Sequence, residues 1–333
     1  MTFKILWLQA GSCGGCTMSA LTAEERGLIA ALKAFGVEIL WHPTLSVETG
    51  REAIEILEDI TAGKVELDAL CVEGSAMRGP GGTGKFQMLS GTDRSMADWI
   101  RELSGFARYV VAVGTCSAFG GLPMAGGNVT DACGLQYEGE SEGGLLRRDF
   151  KSKGGLPVIN IAGCAPHPDW ITETLGLLAT VRLSVDQLDT FARPRFFADH
   201  LAHHGCSRNE YYEFKASATQ FSHLGCLMEN LGCKATQAAG DCNLRSWNGS
   251  MGSCPDAGFP CVACTSPGFE TPSDAFQETA KRAGIPIGLP VDMPKAWFIA
   301  LAALSKSATP ERVNSNAQSD HVVVPPARDE DDT

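Results

Sequence analysis

Cys13-Gly-Gly-Cys16 opens the chain, and Cys116 and Cys164 follow singly. His203-x-x-Cys206, Cys226, Cys233, Cys242, Cys254 and Cys261-x-x-Cys264 then crowd into 62 residues. Eleven of the 13 cysteines, with one histidine, therefore sort into three sets of four. Thiolates at this density suit iron–sulfur clusters, which are held mostly by four cysteines each. A chain holding three clusters would carry electrons.

Each set has a plainer reading. Cys13-x-x-Cys16 alone serves equally as a redox dithiol, a zinc half-site or half an iron–sulfur site. A lone histidine is more often a satisfied core or surface residue than a ligand, and His200 and His204 lie beside His203. A helix at this point would put His203 and Cys206 on one face. Zinc held by three cysteines and a histidine competes with a cluster there. Cys242, Cys254, Cys261 and Cys264 would also make a four-cysteine zinc ribbon. The second half alone does not separate two zinc sites from two clusters. Cys71, inside an apolar run, reads as a packing residue. Cys133, in a Gly/Asn-rich stretch, receives no role. Gly79-Pro-Gly-Gly-Thr-Gly84 lacks the Lys-Ser/Thr of a P-loop, since Phe86 follows Lys85, and reads as a turn.

The elements that must position the first set are legible. Phe3–Leu8, Val37–Trp41, Leu67–Val72, Tyr109–Val113 and Leu156–Ile161 are short, apolar and rich in β-branched residues. Such near-continuous runs suit parallel strands buried on both faces. Helical patterns lie between them at Thr17–Phe35, Val47–Ala62 and Ser95–Phe106. The alternation predicts a doubly wound parallel sheet with right-handed crossovers. Strands one, four and five run directly into Cys13/Cys16, Cys116 and Cys164. Open α/β sheets bind ligands at the carboxyl ends of their strands, so four cysteines distant in sequence can meet at one point. Cys16 would begin the first helix, whose dipole favours an anionic group.

From about Arg193 the chain becomes Cys-, Gly- and Asn-rich, with few strand patterns. Such a segment needs metal for much of its folding energy. One short apolar helix is expected beyond Pro294. The final PPARDEDDT is acidic and reads as disordered.

The 333 residues, 44% of them hydrophobic, suffice for two domains. A net charge of −12 argues against nucleic acid, which wants a basic surface. The longest apolar stretch, Ala296–Leu304, is half of what a membrane span needs. Neither a signal peptide nor a twin-arginine leader is visible, so the expected compartment is the cytoplasm. Thirteen cysteines there read as metal ligands before disulfides.

LWLQAGSCGGCTMS, VEGS (Val72–Ser75), VAVGTCSAFGG, INIAGCAPHPDW, His203-x-x-Cys206, CLMENLGCK and PCVACTSPGF together closely resemble the small subunit of nickel–iron hydrogenases. The resemblance covers residues 3 to about 270. It implies a flavodoxin-like domain over 1–185, a cluster domain over 186–290 and a C-terminal tail over 291–333. It implies an electron relay between a nickel–iron centre in a separate large subunit and an acceptor.

By position, the proximal 4Fe–4S cluster would use Cys13, Cys16, Cys116 and Cys164, and the distal one His203, Cys206, Cys226 and Cys233. The medial cluster would use Cys242, Cys261 and Cys264. Many family members have a proline where a fourth medial ligand would sit, giving a 3Fe–4S cluster. Cys254 stands there in this chain, which implies 4Fe–4S. Some oxygen-tolerant members carry two extra proximal cysteines, but the matching positions here are Gly15 and Gly121.

Glu73 and Thr115, at strand ends beside the proximal ligands, are candidates for hydrogen bonding in the crevice or at the subunit interface. CGGCTMS with WHPTLS resembles the cytoplasmic hydrogen-sensing class, which implies a second heterodimer and a histidine kinase as partners, with the tail as docking element. The alternatives are an energy-conserving uptake enzyme, a zinc-stabilised binding module, and an iron–sulfur subunit of a quinone-reducing complex that shares only the first domain.

Overall fold

The computed structural model describes residues 2–23, 27–250, 252–271, 276–282 and 285–320. Five strands form one all-parallel sheet: β1 (Phe3–Gln9), β2 (Val37–Trp41), β3 (Ala69–Glu73), β4 (Tyr109–Val113) and β5 (Ile159–Ile161). Their spatial order is β2-β1-β3-β4-β5, the flavodoxin-like winding. Every residue of β3 and β4 is buried, as strands covered on both faces require.

The pleat sends alternate side chains to two separate cores. Leu6, Leu8, Leu70 and Val72 face a layer containing α3 (Arg51–Thr61) and α4 (Met96–Phe106). Phe3, Ile5, Trp7, Ala69 and Cys71 face the opposite layer. That layer holds two short helices, α1 (Gly15–Leu21) and α2 (Leu28–Ala34), and the longer α6 (Pro168–Ala179). The short helix α5 (Thr115–Phe119) follows β4 directly. Cys71 is fully buried in β3, as its packing role requires.

The expected helix over Thr17–Phe35 is two helices. Gly27, with φ +72°, caps α2 in a conformation that interrupts a helix. The helix expected from Val47 starts at Arg51, after Gly50 at φ +54°. Ser95 precedes α4 as its N-cap, accepting from the Asp98 backbone NH at 3.1 Å. Cys133 lies in a short strand, Ala132–Cys133, paired with Ala76–Met77, and is fully buried.

In the second half, His203-x-x-Cys206 forms a turn rather than a helix, with the Cys206 NH donating to the His203 carbonyl at 3.1 Å. The backbone of Asn243 packs against Gly205, where an added Cβ would fall 2.6 Å from the Asn243 carbonyl oxygen. This close approach requires glycine at 205, and the His203 NH donates to the Ala235 carbonyl at 3.1 Å. Beyond Pro294 there are two helices where one was expected, α7 (Lys295–Ala308) and α8 (Glu311–Ala317), divided at Thr309-Pro310. The PPARDEDDT end lies outside the described residues. No helix among the described residues is long and apolar enough to cross a membrane.

Candidate metal centres

The strand register aligns Gln9 with Glu73, Glu73 with Val113, and Val113 with Ile161. The carboxyl ends of four strands are therefore level. Cys13, Cys116 and Cys164 follow within a few residues of β1, β4 and β5, and Cys16 sits in the first turn of α1. The four come together. Burial pushes the Cys16 thiol far above its ordinary value, and charges on Glu73, Cys116, Cys164 and Cys13 push it the same way. Burial, with Cys164 and Cys13 nearby, raises Cys116 to about 12. Such thiols stay protonated until a metal displaces the protons.

Glycines shape this crevice. A Cβ at Gly114 would lie 2.5 Å from Cys16 Sγ, and one at Gly121 would lie 2.9 Å from both Cα and Sγ of Cys116. Gly121 is also at φ +53°, so a cysteine there would meet both strain and a clash.

Glu73 is completely buried. Its carboxylate accepts from Trp7 Nε1 and Gln9 Nε2 at 3.2 Å each, Ser12 Oγ at 2.9 Å, the Cys16 NH at 3.1 Å, and Thr17 Oγ1. These bonds hold its pKa below the ordinary value despite burial, which acts the other way. Glu73 thus ties β1, β3 and the Cys13–Cys16 turn together as a charged group. Thr115 receives the Gly163 NH at 2.8 Å and donates to the carbonyl of Cys264. It joins the proximal crevice to the second half of the chain.

There, two further sets assemble. Cys242 lies beside Cys264 and Cys254, whose charges act with burial to raise its pKa. Cys261 neighbours Cys233, Cys264 and Cys242. His203, Cys206, Cys226 and Cys233 line one cavity. Burial lowers the His203 pKa, which favours the neutral ring, and among the described residues its buried Nδ1 has no hydrogen-bond partner. A ring with an unused nitrogen, beside three half-buried cysteines, fits a metal centre held by one histidine and three sulfurs.

The three sets are contiguous. The Cys164 backbone hydrogen-bonds Cys264, linking the first set to the third. The Cys261 NH donates to Cys233 Sγ at 3.3 Å, linking the third to the second. All thirteen cysteines are unpaired.

Several supporting residues are not singled out by the sequence. Arg193 donates to the Thr265 carbonyl at 3.0 Å, next to Cys264. Trp170 Nε1 donates to Asp241 at 2.6 Å, next to Cys242. Asp292 reaches His204 Nε2 at 3.0 Å and His203 Nε2 at 3.8 Å. Trp170 closes the INIAGCAPHPDW motif, Asp241 precedes Cys242 and Arg208 lies two residues past Cys206, whereas Arg193 and Asp292 stand beside no motif.

Two family profiles match this chain. The 20-kDa subunit of NADH–ubiquinone oxidoreductase matches over residues 13–178, and the C-terminal region of the NiFe/NiFeSe hydrogenase small subunit over 198–277. The F420 non-reducing hydrogenase I small subunit of Methanosarcina mazei is 32% identical over 91% of this chain and 82% of its own length. The periplasmic [NiFeSe] hydrogenase small subunit of Desulfomicrobium baculatum is 29% identical over 82% and 86%. Among solved structures, the [NiFeSe] hydrogenase of Desulfovibrio vulgaris Hildenborough superposes with a TM-score of 0.70 at 29% identity, covering 84% of this chain and 98% of that one. The actinobacterial-type NiFe-hydrogenase of Ralstonia eutropha H16 gives 0.73 at 26%, covering 92% and 90%. The chain belongs to the small-subunit family of nickel–iron hydrogenases, oxidoreductases whose catalytic centre lies in the partner large subunit.

Proposed function

We propose that this chain relays electrons between the nickel–iron centre of a large subunit and an external acceptor through three 4Fe–4S clusters. Cys13, Cys16, Cys116 and Cys164 would hold the proximal cluster. Cys242, Cys254, Cys261 and Cys264 would hold the medial one, and His203, Cys206, Cys226 and Cys233 the distal one. When bound, the clusters supply one-electron redox sites. The residues of this chain hold them in line and set their surroundings. The observation that carries the reading is the continuity of the three sulfur sets through Cys164–Cys264 and Cys261–Cys233.

Cys254 lies among Cys242 and Cys264, which supports a fourth medial ligand. Metal analysis of the complex purified without oxygen tests the whole assignment. Three four-iron clusters plus one active-site iron give about thirteen iron per nickel. A ratio near twelve would mean a 3Fe–4S medial cluster, and zinc in place of iron would sink the relay.

The finer role we propose is hydrogen sensing in the cytoplasm, with energy-conserving uptake as the rival. Thirteen unpaired cysteines favour a reducing compartment, which cell fractionation would check. In α7, Trp297, Leu301 and Leu304 stand in a row at helical spacing and are all exposed. This row supports docking of a second heterodimer or a histidine kinase. Phe298 of α7 and Val313 of α8 are buried in the body, so surface substitutions test the idea better than truncation. Trp297→Asp with Leu304→Asp should halve the mass of the assembly in solution or abolish kinase binding. An unchanged mass together with unchanged binding would refute the docking role.

A further inference from the structure

Arg208 is only 5% exposed, and it lines the cavity shared by His203, Cys206, Cys226 and Cys233. A guanidinium taken out of water at this depth is costly unless opposite charge compensates it. Its Nε donates to the Pro255 carbonyl at 3.0 Å. Its Nη1 donates to the carbonyls of His223 at 2.6 Å and Gly225 at 2.8 Å. These bonds satisfy donors without cancelling the charge. Among the described residues, no carboxylate pairs with Arg208. Asp256, the acid that acts on it, is taken by the hydroxyls of Ser207 at 2.5 Å and Ser253 at 2.7 Å. The groups that face the guanidinium across the cavity are the sulfurs of Cys206, Cys226 and Cys233, which would be thiolates once they hold a metal, with Asp256 after them.

The carbonyls it holds also have meaning. Pro255 follows Cys254, and Gly225 precedes Cys226. One side chain therefore braces the loop carrying the fourth medial cysteine against the loop carrying a distal cysteine.

We propose that Arg208 is the built-in counter-ion of the distal centre: a positioning residue that raises the centre's reduction potential and fixes its spacing to the medial centre. The inference rests on the assignment of the distal cluster above. Reduction adds negative charge, and a fixed cation in a low-dielectric site favours that state. The cation would make the distal centre the favoured resting place for an electron leaving the medial one.

The test is a potentiometric titration, followed by electron paramagnetic resonance, of the intact complex with wild-type, Arg208→Gln and Arg208→Lys small subunits. Gln should lower the reduced-to-oxidised ratio of the distal centre ~tenfold at a fixed potential, a shift of about 59 mV for one electron, and move the medial centre less. Lys keeps the charge but loses the fork to three carbonyls, so it should restore most of the distal potential. A Gln variant with all clusters loaded and an unmoved distal potential would overturn the inference. So would loss of the distal signal in both variants, which would assign Arg208 to folding alone. A wild-type complex without any distal signal would instead overturn the cluster assignment itself, and metal analysis would reveal it.

Discussion

In the sheet half, Cys13, Cys16, Cys116 and Cys164 hang from strands whose two cores are filled by Leu, Ile, Val, Phe and Trp. In the other half, the candidates sit among Ala202, Ala235, Ala238 and Ala263, and the cysteines Cys233, Cys242 and Cys261 are themselves part of the packing. A second small cluster places Cys226 and Cys233 against Tyr212, Met228, Leu289 and Phe298. The first half could position its thiols without metal, because burial of large side chains supplies the driving force. The second divides its apolar residues among small separate clusters around a sulfur-lined space, so metal must supply what apolar area does not. The two halves hold the same kind of ligand by opposite means: a scaffold that precedes the site, and a site that makes its own scaffold.

Removing the metal should break the symmetry of loading outright. Anaerobic chelation of the complex should abolish amide-exchange protection over most of residues 200–320 and leave β1, β3 and β4 protected. Structural metal sites in small domains are worth on the order of 10 kcal/mol, and the small clusters of this half stand around those sites. Equal loss of protection in both halves would show that the sheet depends on its cluster as much as the second half does, and the contrast would fail.

A smaller effect sharpens the sheet side of the comparison. Glu73 collects five donors from β1, the Cys13–Cys16 turn and α1. Glu73→Ala would strand them in the interior, at a cost on the order of 3 kcal/mol. Thermal melting should show the loss. The proximal resonance signal should broaden or vanish while the medial and distal signals persist. If all three signals decay together, Glu73 supports the whole chain rather than the proximal crevice.

This contrast also explains what could be read in advance. The parallel sheet was legible because buried strands are continuous apolar runs, and Cys116 and Cys164 were legible because each follows such a run. The ends of helices were less so. The break between α1 and α2 depends on Gly27 at positive φ, and no periodicity reports that. In the second half, spacing found the twelve candidates but not the backbone that carries them. His203-x-x-Cys206 looked helical, yet it is a turn, with the His203 NH bonded to the distant Ala235 carbonyl and Asn243 packed on Gly205. Arg193, Asp241, Asp292 and Arg208 act across separations of 15 to 89 residues, and only the folded chain brings such partners together. Glu73 was suspected as a strand-end acid. Its complete burial and five bonds are properties of the register, which puts Gln9 and Glu73 side by side.

The smallest effect lies deepest in the sheet half. His42 is buried against Trp7, with ring centroids 5.1 Å apart. Its Nδ1 accepts the Thr44 NH at 3.0 Å, so the ring proton belongs on Nε2, 3.4 Å from Thr17 Oγ1. Thr17 in turn donates to Glu73. Burial pushes the imidazole down to about 4, with Glu73 acting weakly in the other direction. An unfolded histidine titrates near 6.5. The folded state resists the second proton, which would have to displace the Thr44 bond. His42 therefore contributes stability that is fully present above pH 6.5 and is lost as the pH falls from 6.5 towards 4. Between pH 6.5 and 5.5 the loss is on the order of 1 kcal/mol. His42→Asn keeps an acceptor near Nδ1 and removes the titration. It should flatten this limb of the melting-temperature profile while leaving the neutral-pH value only slightly lower. An unchanged acid limb would mean that the sensitivity of the sheet half to acid comes from Glu73 itself, protonated at the centre of its five donors.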